Sequence, residues 1–373
     1  MVHPTLIFVV MRLSFPTTLI GLATTKHGRL TSTSLRSLSS SRAFFRIYYN
    51  DVYEVQLPKR HRFPMKKYGQ VRRKLQEMIE SVDSNERKLV DCEFCVSPLA
   101  TFEDLATTHS EEYIQRFLEG KQTQQEQRNV GFPWSLQGVD RALSSVGGTM
   151  AAALDVCELW KSREKEGVAP WAAHVAGGTH HAFYDRGEGF SVFSDIAVAA
   201  NVALEKKLVK KILIIDLDVH QGNGNAVLFQ GDSRVFTFSM HCTGNYFSKK
   251  EMSDLDIELP IGCNDQTYLM TLNHWLNRIQ KESEEKGNNF DLIFFQAGVD
   301  VLEDDRLGRM DLSQKAVERR NEFVYEFAQK LNVPLVICMG GGYPRTDDWT
   351  PIIQAHSNVY FQAHQFLTRN NQQ

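Results

Sequence analysis

The chain has 373 residues, 42% hydrophobic and 23% charged, with a formal net charge of -3. That is an ordinary globular composition, long enough for one large α/β domain. The near-neutral balance leaves no electrostatic footprint for nucleic acid, and without a run of about 18 apolar residues no membrane span is expected.

The first 45 residues differ in kind from the rest. No Asp or Glu precedes Asp51, while Arg12, Lys26, Arg29, Arg36 and Arg42 are interspersed with Ser and Thr, densest in TSTSLRSLSSSR from Thr31 to Arg42. An acid-free, Arg- and Ser-rich leader resembles an organellar transit peptide, so residues 1–45 are set apart as an N-terminal extension and 46–373 as the folded domain. A plain disordered tail is the alternative, and the corresponding location is a plastid or mitochondrion, with the nucleus as rival.

From Phe45 the pattern becomes regular. RIYYNDVYEVQL reads as a strand and turn, and HRFPMKKYGQVRRKLQEMI as an amphipathic helix with Met65, Tyr68, Val71, Leu75, Met78 and Ile79 inward. Cys92 and Cys95 form a lone CxxC, better read as structural thiols than as a metal or redox pair. Ser110 caps a helix, SEEYIQRFLEG, which stops at Gly120. KQTQQEQRN then reads as a polar loop, GFPWS as the rim of a pocket, and the small residues of SVGGTMAAALDVCE as a helix lying close to a sheet.

The stretch WAAHVAGGTHHAFYDRGEGFSVFSD, from Trp171 to Asp195, carries His180 and His181 on a glycine-bounded loop. Both side chains can line one cavity there and serve acid–base chemistry near neutral pH. Gly189 and Phe190 offer a narrow apolar wall, and Ser194 or Asp195 caps the following helix. ILIIDLDVHQGNG, from Ile212 to Gly224, is the central element: an unbroken apolar strand ending in Asp216, Asp218 and His220. Buried carboxylates are costly unless paired or bound to a cation, and residues two apart on extended backbone converge on one ion. Gly222 and Gly224 are expected to let the backbone turn sharply. Three more strands follow, RVFTFSMH, LIFFQAGVD ending at Asp300, and VPLVICMGGGY ending at Tyr343, separated by amphipathic helices. The alternation predicts an α/β fold, a central mainly parallel sheet with helices on both faces and a site at the C-terminal ends of its strands.

HVAGGTHHAF, IIDLDVHQGNG, FQAGVDVLEDDRLG and GGGY, in this order, resemble the zinc-dependent histone deacetylase family, and QGNG with HRFPMKKYG looks most like its class IV members. The resemblance implies a single-domain arginase/deacetylase-like fold and one catalytic Zn2+ held by Asp218, His220 and Asp300, and leaves room for a structural monovalent cation near Asp216. It implies His180 and His181 as the tandem histidines, Asp216 as the carboxylate orienting the first, and Tyr343 as the group polarising the substrate carbonyl. Phe190, with Gly189, and Tyr246 match the walls of the acyl-lysine channel. Asn223 stands where class I enzymes carry an Asp behind the second histidine, so His181 is expected to keep a pKa near its ordinary value of about 6.5 while His180 is raised. The ligand set alone would also suit iron, manganese or cobalt. The implied activity is removal of acetyl or longer acyl groups from lysines of histones or other proteins. Acetylpolyamine hydrolysis, for which an acidic rim would speak, and a non-catalytic scaffold are the alternatives.

Overall fold

The computed structural model describes residues 43–59, 61–87, 89–245, 249–287 and 289–370. Its centre is one eight-stranded sheet: β1 (Ala43–Tyr49), β2 (Val90–Val96), β3 (Trp171–His174), β4 (Ile212–Asp216), β5 (Val235–Cys242), β6 (Leu255–Leu259), β7 (Leu292–Gln296) and β8 (Leu335–Cys338). The order across the sheet is β2-β1-β3-β8-β7-β4-β5-β6, and every pairing is parallel. The expectation of a mainly parallel sheet is met in full.

The four central strands are buried along their whole length. Because strand side chains alternate, Leu213 and Ile215 of β4 enter one core and Ile212 and Ile214 the other, as do Ile293 and Phe295 against Leu292 and Phe294 of β7. The first core is closed by α1 (Lys67–Glu80), α7 (Asp265–Glu285), α8 (Gln314–Leu331) and α9 (Thr350–Asn370). The second lies under α2 (Glu111–Leu118), α4 (Leu136–Ser162) and α5 (Asp195–Glu205). Among the other, short helices are α3 (Gln124–Val130) and α6 (Asn223–Leu228). As predicted, α4 runs close to the sheet: a Cβ on Gly148 would stand 2.4 Å from the His174 ring.

Several expectations need correction. Ala43, Phe44 and Phe45 are buried in β1, so the folded domain begins before the boundary set at residue 46, and residues 1–42 of the extension lie outside the described residues. KQTQQEQRN is not a loop: Thr123 and Glu126 form a reciprocal capping box, α3 follows, and Gly131 closes it in the left-handed region (φ 86°). The T-x-x-E spacing was the available signal. β2 and β6 escaped notice because edge strands carry polar residues, and β3 because it is four residues long. Cys92 and Cys95, three apart on β2, point to opposite faces and are both free. Gly222 sits at φ -73°, so it makes no special turn. Glycine is needed at 222 and 224 for closeness, since a Cβ there would lie 2.3 Å from Asp216 Oδ2 and 2.4 Å from the Ala182 carbonyl oxygen.

Candidate active site

Four neighbouring strands, β3, β8, β7 and β4, end at one edge of the sheet, and the segments after them carry all the expected catalytic and metal-ligating residues. Asp218 and His220 follow β4, and Asp300 follows β7. One ligand atom from each lies within 4.8 Å of the others. Backbone N–H groups fix the carboxylates: Asp218 Oδ1 accepts from His220 (3.0 Å), Asp218 Oδ2 from Gly341 (2.8 Å) and Asp300 Oδ1 from Val219 (3.0 Å). Asp300 Oδ2 is fully buried, 3.2 Å from His220 Nδ1 but outside hydrogen-bond geometry, and accepts from no donor. An orphaned carboxylate oxygen costs several kcal/mol, on the order of the penalty for a buried ion, unless a cation meets it. Space for one is kept by glycines: a Cβ on Gly341 would stand 2.0 Å from Asp300 Oδ2, and one on Gly298 2.3 Å from Asp218 Oδ2. Two carboxylates and an imidazole around such a space fit a divalent ion.

The loop after β3 brings His180 and His181 beside this trio, their ring centroids 4.0 Å apart. His180 Nδ1 donates to Asp216 Oδ2 at 2.6 Å. Burial alone would depress the His180 imidazole, but the charges of Asp216 and Asp218 and the bond to Asp216 prevail and raise its pKa to about 9. The other Asp216 oxygen accepts from the Asp218 N–H at 3.2 Å, and Asp216 stands outside the group of ligand atoms, orienting His180. His181 Nδ1 donates to Asn223 Oδ1 at 2.7 Å, which leaves Nε2 as the lone-pair nitrogen facing the cleft. Here the expected value near 6.5 is corrected: burial first, then the neighbouring His180 and His220, hold His181 well below it, and the neutral Asn223 offsets too little. His181 is therefore unprotonated across the neutral range. Asn223→Asp places a carboxylate beside Nδ1–H and raises that pKa. Since a base loses activity below its pKa, the acidic limb of the kcat/KM profile should move to higher pH. A pH–rate series on both proteins checks this, and an unmoved limb would remove His181 from the role of base.

Tyr343, on the segment after β8, is buried and held neutral. Burial, with the nearby charges of Asp300 and Asp218, pushes its phenol well above the usual range. Its backbone N–H donates to Asp305, whose carboxylate also accepts from Leu307 (2.7 Å) and Gly308 (2.8 Å). Two buried cations brace the same glycine segments from behind. Lys67 Nζ donates to the carbonyls of Gly340 (3.3 Å) and Gly342 (3.1 Å) and lies 5.3 Å from the Tyr343 ring centre. Arg320 of α8 donates to the carbonyls of Gly298 and Ala297. Neither was foreseen: Lys67 sits in the second of two consecutive lysines on an amphipathic helix, and Arg320 in a charged run that reads as solvated.

A model of the histone deacetylase domain matches residues 63–358, which include the whole cluster from His180 to Tyr343. The chain belongs to the histone deacetylase family. An uncharacterized protein of Picosynechococcus sp. is 36% identical over 303 residues, 81% of this chain and 93% of its own length. Histone deacetylase 2 of Arabidopsis thaliana is 30% identical over 315 residues, 80% of this chain and 75% of its own. Among solved structures, an HDAC homolog from Aquifex aeolicus has a TM-score of 0.66 at 22% identity, covering 87% of this chain and 84% of that one. An HDAC homolog complexed with SAHA gives a TM-score of 0.66 at 23% identity and the same coverage. At these identities the solved structures establish the fold, which is the arginase/deacetylase-like one expected.

In this histone deacetylase family member the cluster lies at the bottom of a cleft of about 850 Å³, bordered by His181, His220, Tyr343, Gly189 and Phe190. The Phe190 ring centre is 5.9 Å from that of Tyr343, as a channel wall requires. Phe190 adopts φ 65°, a strained value for a side-chain-bearing residue, and its N–H donates to the Val130 carbonyl (2.8 Å) while that of Gly189 donates to Asn129 (3.0 Å). The unforeseen α3 thus pins the wall. Tyr246 lies outside the described residues. Behind Phe190, Phe63 (5.0 Å between ring centres) and Phe132 (5.3 Å), the latter within the GFPWS stretch assigned to a rim, line a neighbouring apolar cavity and not the cleft itself. Phe63 was missed because HRFP was counted as the start of a helix.

Proposed function

We propose that this histone deacetylase family member is a zinc-dependent protein lysine deacylase, of class IV type, with acetyl-lysine as its simplest substrate. The observation that carries the proposal is the meeting of three features at one cleft floor: the buried Asp218–His220–Asp300 trio, a neutral His181 whose Nε2 faces the cleft, and a neutral Tyr343 phenol. A divalent ion held by the trio would supply Lewis acidity, polarising the acyl carbonyl and acidifying a water. His181 Nε2 accepts the proton of the attacking water, and the same nitrogen returns it to the lysine amine as the amide C–N bond breaks, leaving free lysine and the carboxylic acid. Tyr343 donates a hydrogen bond to the carbonyl oxygen as it gains charge. His180, kept protonated by Asp216, supplies fixed positive charge and stays out of the proton transfer. Phe190, backed by Phe63, excludes water from the lysine stem.

Purified protein offered acetyl-lysine peptides, longer acyl-lysine peptides and acetylpolyamines, with and without chelator, tests the reading. Chelator-sensitive turnover of the peptides supports it, and turnover of the polyamines alone would replace it. The polyamine alternative is disfavoured by the rim, where Arg62, Arg128 and Arg309 would repel a cation. A non-catalytic scaffold gives no reason to keep Asp300 Oδ2 buried without a donor. The proposal includes a structural monovalent cation near Asp216, for which activity should fall on desalting and return with added K+ or Na+. It also includes an organellar location. Residues 1–45 fused to a reporter should carry it to a plastid or mitochondrion, and a nuclear or cytosolic reporter would rule that out.

A further inference from the structure

The mouth of the cleft carries a charge pattern that the proposed chemistry does not use. Arg62 comes from the segment before α1, Arg128 from the last turn of α3 and Arg309 from the segment after β7, and the three converge around one opening together with His61. All three arginines are exposed. Among the described residues none of them pairs with a carboxylate. Arg309 reaches only the Gly244 carbonyl (3.3 Å) and Arg128 only the Gln125 side chain (3.3 Å). Several arginines elsewhere are matched, Arg72 with Asp51, Arg116 with Glu126, Arg234 with Asp232, Arg278 with Glu282 and Arg319 with Glu322, while exposed Arg73, Arg306 and Arg369 also lack a carboxylate among the described residues but do not line the cleft. Among the described residues none that lines the cleft is acidic, and Glu188, next to Gly189 in the chain, is not one of the lining residues. The pattern is not a by-product of a basic protein, since the chain carries a net charge of -3.

Three guanidiniums without carboxylate partners around one opening, each a planar fork of donors, form a multidentate receptor for carboxylates, and the low-dielectric walls behind them focus the field outward. Resting on the reading of this protein as a lysine deacylase, we infer that its substrates are acyl-lysines set in acidic sequence, with Asp or Glu on either side of the modified residue. A tail rich in Lys and Arg would meet like charge at the mouth. The acyl-lysine side chain itself is neutral, so flanking charge is what the arginines select.

The test uses the full chain loaded with metal and three acetyl-lysine peptides that differ only in their flanks: Glu and Asp, Ser and Ala, or Lys and Arg. Exposed contacts are individually weak, so three together should give roughly a tenfold higher kcat/KM for the acidic than for the basic peptide at low salt. Added salt should narrow the ratio, because the Debye length falls from about 30 Å at 0.01 M to about 3 Å at 1 M. In the R62E/R128E/R309E variant, whose changes all lie at exposed positions, the order of the peptides should reverse. Near-unfolding temperatures that match the parent's establish that the reversal comes from charge. Equal turnover of the three peptides, or a preference that survives both salt and charge reversal, overturns the inference while leaving the deacylase reading in place. Turnover of none of them overturns both.

Discussion

Asp300→Ala is expected to abolish metal binding and turnover together. In the parent, Asp300 Oδ1 is fixed by the Val219 N–H and Oδ2 is buried without a donor beside His220 and Asp218. Removing the side chain would take one of the three proposed ligands and leave two. Loss of a mere outer partner of a metal ligand costs roughly 10- to 100-fold in affinity or activity, so loss of a ligand itself should exceed that range. Elemental analysis after desalting and an acetyl-lysine peptide assay, run on one preparation, make the measurement. A variant that keeps either its metal or its activity at the parental level would remove Asp300 from the site. Because the substitution also deletes a buried charge next to Asp218, whose own Oδ2 is held by Gly341, folding is best followed in parallel by circular dichroism.

Tyr343→Phe should act on kcat and leave KM almost untouched. The phenol stays neutral, held above its ordinary range by burial and by Asp300 and Asp218, so at every working pH it can donate. Phe keeps the ring against Phe190 and Phe63 and near the Lys67 ammonium, and removes the donor alone. One missing donor to a developing oxyanion costs roughly 3 kcal/mol, or on the order of 100-fold in kcat. A rise in KM with kcat unchanged would make Tyr343 a wall and not a participant. The profile against pH should keep its shape, since the group does not titrate in the range.

The sheet and the cluster were legible for one reason: both rest on short-range pattern. Ile212 to Ile215 had to be buried on both faces, and Asp216, Asp218 and His220 then had to find partners at that strand's end. The same logic put Asp300 and Tyr343 at strand ends, and the family resemblance supplied their roles. What sequence could not convey was whatever depends on which loops meet. Lys67 gives no sign in HRFPMKKYG that its ammonium will reach the carbonyls of Gly340 and Gly342, more than 270 positions away in the chain. The depressed His181 follows from burial and then from crowding by His180 and His220, neither of which a neutral Asn223 in the sequence could reveal. The arginines of the mouth come from three unrelated segments, each of which reads alone as a solvated charge. Phe190 shows the division within a single residue: its identity as a wall was readable, while its positive φ and its tether to α3 were not.

The last strand of the chain, β8, is not at an edge of the sheet but lies between β3 and β7. During synthesis the first seven strands therefore emerge as two separate groups, β2-β1-β3 and β7-β4-β5-β6, each with a hydrogen-bonding edge facing the other and nothing to join them. Only when Leu335–Cys338 leave the ribosome can the two groups be bridged, and the same event delivers Gly341 to Asp218 and sets Tyr343 over the cleft. A nascent chain that lacks β8 thus holds two strand groups and an incomplete site, and the insertion of β8, not the appearance of the histidines or carboxylates, is the step that completes both.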